Sequence, residues 1–380
     1  MRLAIVTNII TPYRRNFYEE INKVLQREGG ELRVFAMTDS LPLRPWTYED
    51  LKSTYTELLP VKKFFVGEND YLINLSVNKR LRAFNPNKVI IAGSWTYPTL
   101  WLMLLHKLKS VKYYFWTESH SVRGFEVTSK NNLIFKFKRY LYNKFDGYCT
   151  PGIYANENLN SIVGNHGERV KLPNLVDNKF YEEAISKRDN RNTICKLYGL
   201  DDNKRRFITP ARLVSLKGLD LFFLAVAKSK YKDNAEFVLA GDGPEKEKLQ
   251  EIAESNKIDI KFLGYCNQNQ VRELYACSDV FLLPSLSDAN PLTSIEGAFS
   301  GLPLCVSKYT GNSPELCKVK ENGIIFDTNK PSSIIEAFEF FMEASEEWLA
   351  SAGNTSLQIA KDGFDCVTES EKFIIQLSQL

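Results

Sequence analysis

Val280-Phe281-Leu282-Leu283-Pro284-Ser285-Leu286-Ser287-Asp288-Ala289-Asn290-Pro291-Leu292-Thr293-Ser294-Ile295-Glu296-Gly297-Ala298-Phe299-Ser300-Gly301-Leu302-Pro303 holds the strongest chemical signal in the chain. Four apolar residues make a buried strand, and a short polar run ends it. A helix then opens at Pro291, where proline forfeits only an N–H that lacks an intrahelical partner anyway. The amides of Leu292 and Thr293 are left free at the end where the helix dipole favours an anion. Asp288 precedes this cradle, and Glu296 stands about one and a half turns inside the helix. The cradle suits a diphosphate. The two carboxylates suit sugar hydroxyls on either side of it, because a carboxylate accepts charge-assisted bonds. That is the shape of a nucleotide-sugar.

Working backwards, Phe207-Ile208-Thr209 reads as a strand, followed by Pro210-Ala211-Arg212-Leu213-Val214-Ser215-Leu216-Lys217-Gly218 and a helix over residues 219–227. An Arg fork and a Lys ammonium after one strand suit diphosphate oxygens and a leaving group that gains charge. Phe237-Val238-Leu239-Ala240 runs into the turn Gly241-Asp242-Gly243-Pro244, and Phe262-Leu263-Gly264-Tyr265 ends another strand. A further strand is expected at 303–307, a turn at 323–327, a helix at 332–344 and partial helix over 356–380.

The first half alternates in the same way. Strands are expected at 3–7, 32–37, 88–93, 112–116 and 147–150, and helices at 16–27, 71–84, 98–109 and 131–145. Strand–helix alternation calls for parallel sheets covered on both faces, with ligands at the carboxyl ends of the strands. The loops at 8–14, 93–97 and 117–123 are therefore the informative ones. They hold Arg14, Glu118 and His120. The polar stretch 178–192 reads as the linker between halves.

The donor stretch resembles the signature of the retaining family-4 glycosyltransferases: strand, Pro-Ser, an acidic residue, seven residues, Glu, then Gly-Leu-Pro. Asp288 stands where the family usually has Glu, and Pro291 where many members have Gly. The stretch is similar to a subset carrying Asp-x-Asn-Pro, with Thr310-Gly311-Asn312-Ser313-Pro314-Glu315 downstream. Arg212 and Lys217 match the family's Arg-x4-Lys-Gly. The resemblance covers most of the second half and only the layout of the first. It implies the α/β GT-B fold: an acceptor-binding Rossmann-like domain at 1–175, a donor-binding one at 176–358, and a helix at 359–380 crossing back.

For the site, the resemblance implies Asp288, Arg212, Lys217 and His120 as catalytic residues. Donor binding falls to Gly241, Asp242, Gly243, Gly264, Asn290, Leu292, Thr293 and Glu296. Arg14 and Glu118 are acceptor-side candidates. The reaction implied is retaining transfer from a nucleoside-diphosphate sugar to a hydroxyl of a glycan or lipid-linked acceptor, in surface polysaccharide assembly. Protein cations stand in for a metal, and no cofactor is implied. The alternatives weighed are a GT-B sugar-nucleotide epimerase and a non-catalytic nucleotide-sugar binder. A nicotinamide dehydrogenase is disfavoured, because no Gly-x-Gly-x-x-Gly follows the first strand.

Composition sets further bounds. No apolar run nears the ~20 residues of a membrane span, and the opening residues read as a strand rather than a signal peptide. The 7 cysteines are scattered without a Cys-x-x-Cys pair, which argues for reduced thiols in the cytoplasm. Residues 1–172 carry 25 Lys and Arg against 15 Asp and Glu, and the remainder 24 against 31. A basic first half, with Lys and Arg interleaved with Phe and Tyr between Lys130 and Lys144, suits the anionic inner face of a membrane. Nucleic acid is disfavoured, since no recognition module appears.

Overall fold

The computed structural model describes residues 1–39, 47–66, 69–93, 96–124 and 132–380. Lys130 and residues 94 and 95 of the second informative loop lie outside them. The chain forms two compact units. The first comprises Met1–Ser119, Val127–Pro173 and Cys366–Leu380; the second comprises residues 120–126 and Asn174–Asp365. Measured against the expected boundaries at 175 and 358, the hand-over falls two residues early and the return seven residues late. The loop bearing His120, expected in the first domain, groups with the second.

The first unit is built on strands β1 (Arg2–Thr7), β2 (Glu31–Ala36) and β3 (Thr56–Leu58), a hairpin of β4 (Lys62–Val66) and β5 (Asn69–Ile73), and then β6 (Lys88–Ala92), β7 (Lys112–Trp116), β8 (Gly147–Thr150) and β9 (Glu168–Lys171). Seven of these form one sheet in the order β3-β2-β1-β6-β7-β8-β9, parallel throughout. Leu3, Ala4, Ile5 and Val6 are all buried, as a strand covered on both faces requires. Helix Cys366–Gln379 completes this unit. It packs on helix Pro12–Arg27, with the Phe17 and Phe373 rings 5.8 Å apart.

The second unit has β10 (Arg205–Thr209), β11 (Ala235–Leu239), β12 (Ile260–Phe262), β13 (Val280–Leu283), β14 (Leu304–Ser307) and β15 (Gly323–Phe326). Their order is β12-β11-β10-β13-β14-β15, again all parallel. Phe207, Phe222, Phe237 and Phe338 fill its core.

Four readings need correction. Residues 323–327 are not a turn: Gly323–Phe326 is the edge strand β15, paired with β14. Residues 71–84 are not one helix: β5 pairs antiparallel with β4, and helix begins only at Val77. The stretch 178–192 is not an open linker. It folds as helix Asn178–Lys187, a 3-10 turn at Arg188–Asn190 and the start of helix Arg191–Tyr198. The Asp177 carboxylate caps the first of these by accepting the Phe180 N–H at 3.2 Å. Pro291 is the cap of its helix rather than the first residue, with ψ of 130°, so helix Leu292–Phe299 begins one residue later than expected.

Candidate functional site

In a doubly wound sheet the ligand crevice lies where strand order reverses. In the second unit that point is between β10 and β13. The loop after β10 carries Arg212 and Lys217, and the loop after β13 carries Asp288 and Asn290. Topology thus brings together residues more than seventy positions apart.

Backbone contacts fix both loops. Leu213 N–H donates to Asp242 O at 2.9 Å, and Glu245 N–H donates to Leu213 O at 3.0 Å. A Cβ at Gly241 would lie 1.9 Å from Ala211 O, so the turn 241–243 can lie against the Arg212 loop only with glycine there. Arg212 itself is exposed. Gly264, at the end of β12, stands in open space beside exposed Tyr265. Lys217 closes a 3-10 turn, Ser215–Lys217, whose Leu216 O accepts the Leu286 N–H at 2.8 Å. Lys217 Nζ lies 2.5 Å from Asp288 Oδ2.

The 288–291 loop is held by its neighbour. Asp288 and Thr310 form a parallel bridge, and Gly311 N–H donates to Asp288 O at 2.7 Å. A Cβ at Gly311 would fall 1.7 Å from Ala289 O. Asn312 Nδ2 donates to Pro291 O at 3.0 Å, and Ser294 Oγ donates to Asn312 Oδ1 at 3.0 Å. Asn290 is 6% exposed, yet among the described residues neither its side-chain oxygen nor its nitrogen has a partner. Buried amides are rarely left so, and the pair of unmet groups beside a helix N-terminus points to a ligand.

Leu292 and Thr293 are the first two helical residues, whose amides have no intrahelical acceptor. Glu296 follows on the same helix. Burial pushes its carboxyl up to about 7, against the opposing effect of hydrogen bonds from Tyr181 and Tyr275. Tyr275 Oη lies 3.1 Å from Glu296 Oε2.

His120 is 4% exposed, and its Nδ1 has no partner among the described residues. Burial and the Arg123 guanidinium pull its imidazole below the usual value, against the attraction of Asp288. The loop is anchored by Gly124, whose N–H donates to Leu286 O at 2.7 Å and whose carbonyl accepts from Asn329 Nδ2 at 2.5 Å.

Arg14 and Glu118 meet in the first unit, at the switch point between β1 and β6. Arg14 Nη2 donates to Glu118 Oε1 at 3.2 Å, and its guanidinium lies 4.4 Å from the Trp116 ring centroid. They line a cavity of about 370 Å³ with Asn8, Tyr97 and Trp116. Trp116 Nε1 faces no partner among the described residues.

Sequence reasoning missed Tyr181, Tyr275 and Trp116 as site residues. For Tyr181 the usable signal was Asp177, a helix cap four residues ahead. Tyr275 carried none, since its role depends on a helix packing across the unit. Among the described residues, no cluster of three or more His, Cys, Asp or Glu has a metal-holding arrangement.

Residues 190–354 match the family model described as "Glycosyl transferases group 1". Over 236 residues the chain is 29% identical to the UDP-Gal:alpha-D-GlcNAc-diphosphoundecaprenol alpha-1,3-galactosyltransferase of Escherichia coli, covering 57% of this chain and 58% of that protein. It is 29% identical over 168 residues to the alpha-monoglucosyldiacylglycerol synthase of Acholeplasma laidlawii, covering 43% of this chain and 42% of that protein. The chain thus spans about half the length of these curated relatives. Among solved structures, Anabaena HepE in complex with UDP superposes with a TM-score of 0.74 at 16% identity, covering 100% of both chains. At that identity the likeness is one of fold, and the fold is GT-B.

Proposed function

We propose that the chain is a glycosyltransferase that moves a sugar from a nucleoside-diphosphate donor, such as a UDP-sugar, to a hydroxyl of a glycan or lipid-linked acceptor. The observation that carries this is the convergence of Lys217, Asp288, Asn290 and Glu296 around the start of helix Leu292–Phe299, inside the segment matched by the family model. Arg212, Lys217 and the amides of Leu292 and Thr293 hold the diphosphate and steady the charge it gains as the sugar departs. Protein cations thus take the part that a metal ion plays elsewhere. Glu296 accepts from the ribose hydroxyls. Asp288 and Asn290 position the donor sugar, and neutral His120 lies beside Asp288 at the reacting end.

Transfer proceeds with retention, the leaving phosphate taking the acceptor's proton, as the resemblance implies. The first unit binds the acceptor at the Arg14–Trp116–Glu118 cavity, where an indole face suits a sugar ring. The E. coli relative is named for a lipid-linked acceptor and the Acholeplasma relative for a glycosylated lipid product, which supports an acceptor of that class. Helix Asn132–Tyr142 leaves Leu133, Ile134, Phe137 and Tyr140 exposed beside exposed Lys136 and Arg139. We read this face as resting on an anionic membrane surface. No described helix is long and apolar enough to cross one.

The test is incubation with a panel of nucleoside-diphosphate sugars and lipid-linked or glycan acceptors, with products read by mass spectrometry. A new glycoside and free nucleoside diphosphate are expected. An isomerised sugar-nucleotide without acceptor, or tight donor binding with no turnover, would overturn the reading.

A further inference from the structure

Glu296 is buried deeply enough that its ionised form needs compensating donors. The Tyr275 hydroxyl supplies one, and Tyr181 packs against the Tyr275 ring. Tyr181 lies on helix Asn178–Lys187 and Tyr275 on helix Gln268–Ala276, and both rings are buried. Their centroids are 6.1 Å apart at 69°, an edge-to-face contact that fixes one ring against the other. The Tyr275 hydroxyl lies 3.1 Å from Glu296 Oε2 and 3.3 Å from Thr293 O. It has one proton and two acceptors, so it donates to the carboxylate when Glu296 is charged and is free to turn to the Thr293 carbonyl when Glu296 is protonated.

The brace is itself anchored. Ser300 Oγ donates to Tyr181 O at 3.3 Å, and Arg188 Nη2 donates to Ser300 O and Gly301 O at 2.9 and 2.7 Å. These bonds tie the segment from Tyr181 to Arg188 to the far end of helix Leu292–Phe299.

We infer that Tyr275, braced by Tyr181, is a positioning residue that favours the ionised form of Glu296 and holds its carboxylate in place on the donor helix. This rests on the donor-site reading above for its consequence in nucleotide binding, but the ionisation it describes does not. Tyr181 and Tyr275 are the groups that act directly on Glu296. Asp177 and Arg272 act on Tyr181 in turn. The other elements packed on the donor helix are helices Ser313–Leu316 and Glu346–Phe364 and strands β13 and β14. Among the described residues, none of these presents a titratable group that acts on the carboxylate.

The experiment uses the full chain and its Tyr181→Phe, Tyr275→Phe and double variants. Glu296 ionisation is followed by carboxylate infrared difference spectra against Glu296→Gln, and UDP serves as the binding probe in calorimetry. Tyr275→Phe, alone or in the double variant, should move the ionisation midpoint upward by about half a pH unit or more, because a bond to the charged form is lost. The double variant should bind UDP about tenfold more weakly at pH 7.5 and regain affinity at higher pH. An unmoved midpoint in Tyr275→Phe and the double variant overturns the inference. A moved midpoint, with UDP affinity indifferent to Glu296→Gln, supports the brace and overturns the donor-site reading instead.

Discussion

Lys217 Nζ and Asp288 Oδ2, 2.5 Å apart, join the loop after β10 to the loop after β13 across the point where strand order reverses. Their side chains are 18% and 20% exposed, so the pair is screened from solvent without being sealed. In the proposed site, a bound diphosphate would compete with Asp288 for the ammonium. Lys217→Ala should therefore weaken UDP binding and lower kcat by roughly 10²–10³-fold. Asp288→Asn frees Lys217, so UDP should bind as well or better while kcat falls. Steady-state kinetics beside calorimetry read both, and wild-type kcat in Lys217→Ala would contradict the assignment.

Glu296 gives a pH signature in stability. Its folded-state value of about 7 lies above the ordinary 4.5, so the folded chain binds more protons than the unfolded chain between these values. Stability contributed by this group is full below pH 4.5 and is lost as pH rises through 7. Glu296→Gln removes that loss. The variant should be more stable than wild type at pH 8, by up to about 3 kcal/mol, with little difference at pH 4.5. Thermal melts at the two pH values provide the comparison.

The close approach of Gly311 to Ala289 O predicts an unusually sensitive glycine. Gly311→Ala forces the two loops apart and displaces Asp288 and Asn290 together. UDP affinity should fall at least about tenfold, with a stability loss of about 1–3 kcal/mol. Gly363→Ala, where a Cβ would meet nothing within 4 Å, is the control.

If Arg212, Lys217 and the helix amides carry the leaving-group charge, transfer should continue in excess chelator. Strict dependence on added Mg²⁺ would count against that account.

Membrane docking is read by sedimentation with vesicles. Lys136→Ala with Arg139→Ala should weaken binding to anionic vesicles by roughly thirtyfold, at about 1 kcal/mol per basic residue. Binding to neutral vesicles should change little.

The 280–303 stretch was legible as a strand, loop and helix start because its pattern is local. A strand, two carboxylates and a helix start lie within two dozen residues, and apolar runs such as Leu3–Val6 announce a parallel sheet by themselves. What escaped was tertiary. Residues 178–192 look like a linker because they are rich in charged and amide side chains, while burial of Asn178, Tyr181 and Ala184 depends on helices distant in sequence. The start of the 71–84 segment was misread for a similar reason. Tyr71-Leu72-Ile73 is apolar enough for either structure, and only pairing with Lys62–Val66 decides it. The move of His120 to the second unit likewise rests on Gly124, Leu286 and Asn329, which no local pattern links.

Helix Cys366–Gln379 belongs to the unit that residues 1–173 begin. The polypeptide therefore leaves the ribosome with its first unit unfinished, and residues 174–365 are made before the missing piece arrives. The second unit can fold as a nearly continuous segment during synthesis, while the first waits with the Phe17 face of its first helix uncovered. Premature termination just short of residue 366 would thus injure the amino-terminal half, the one whose own codons were read correctly.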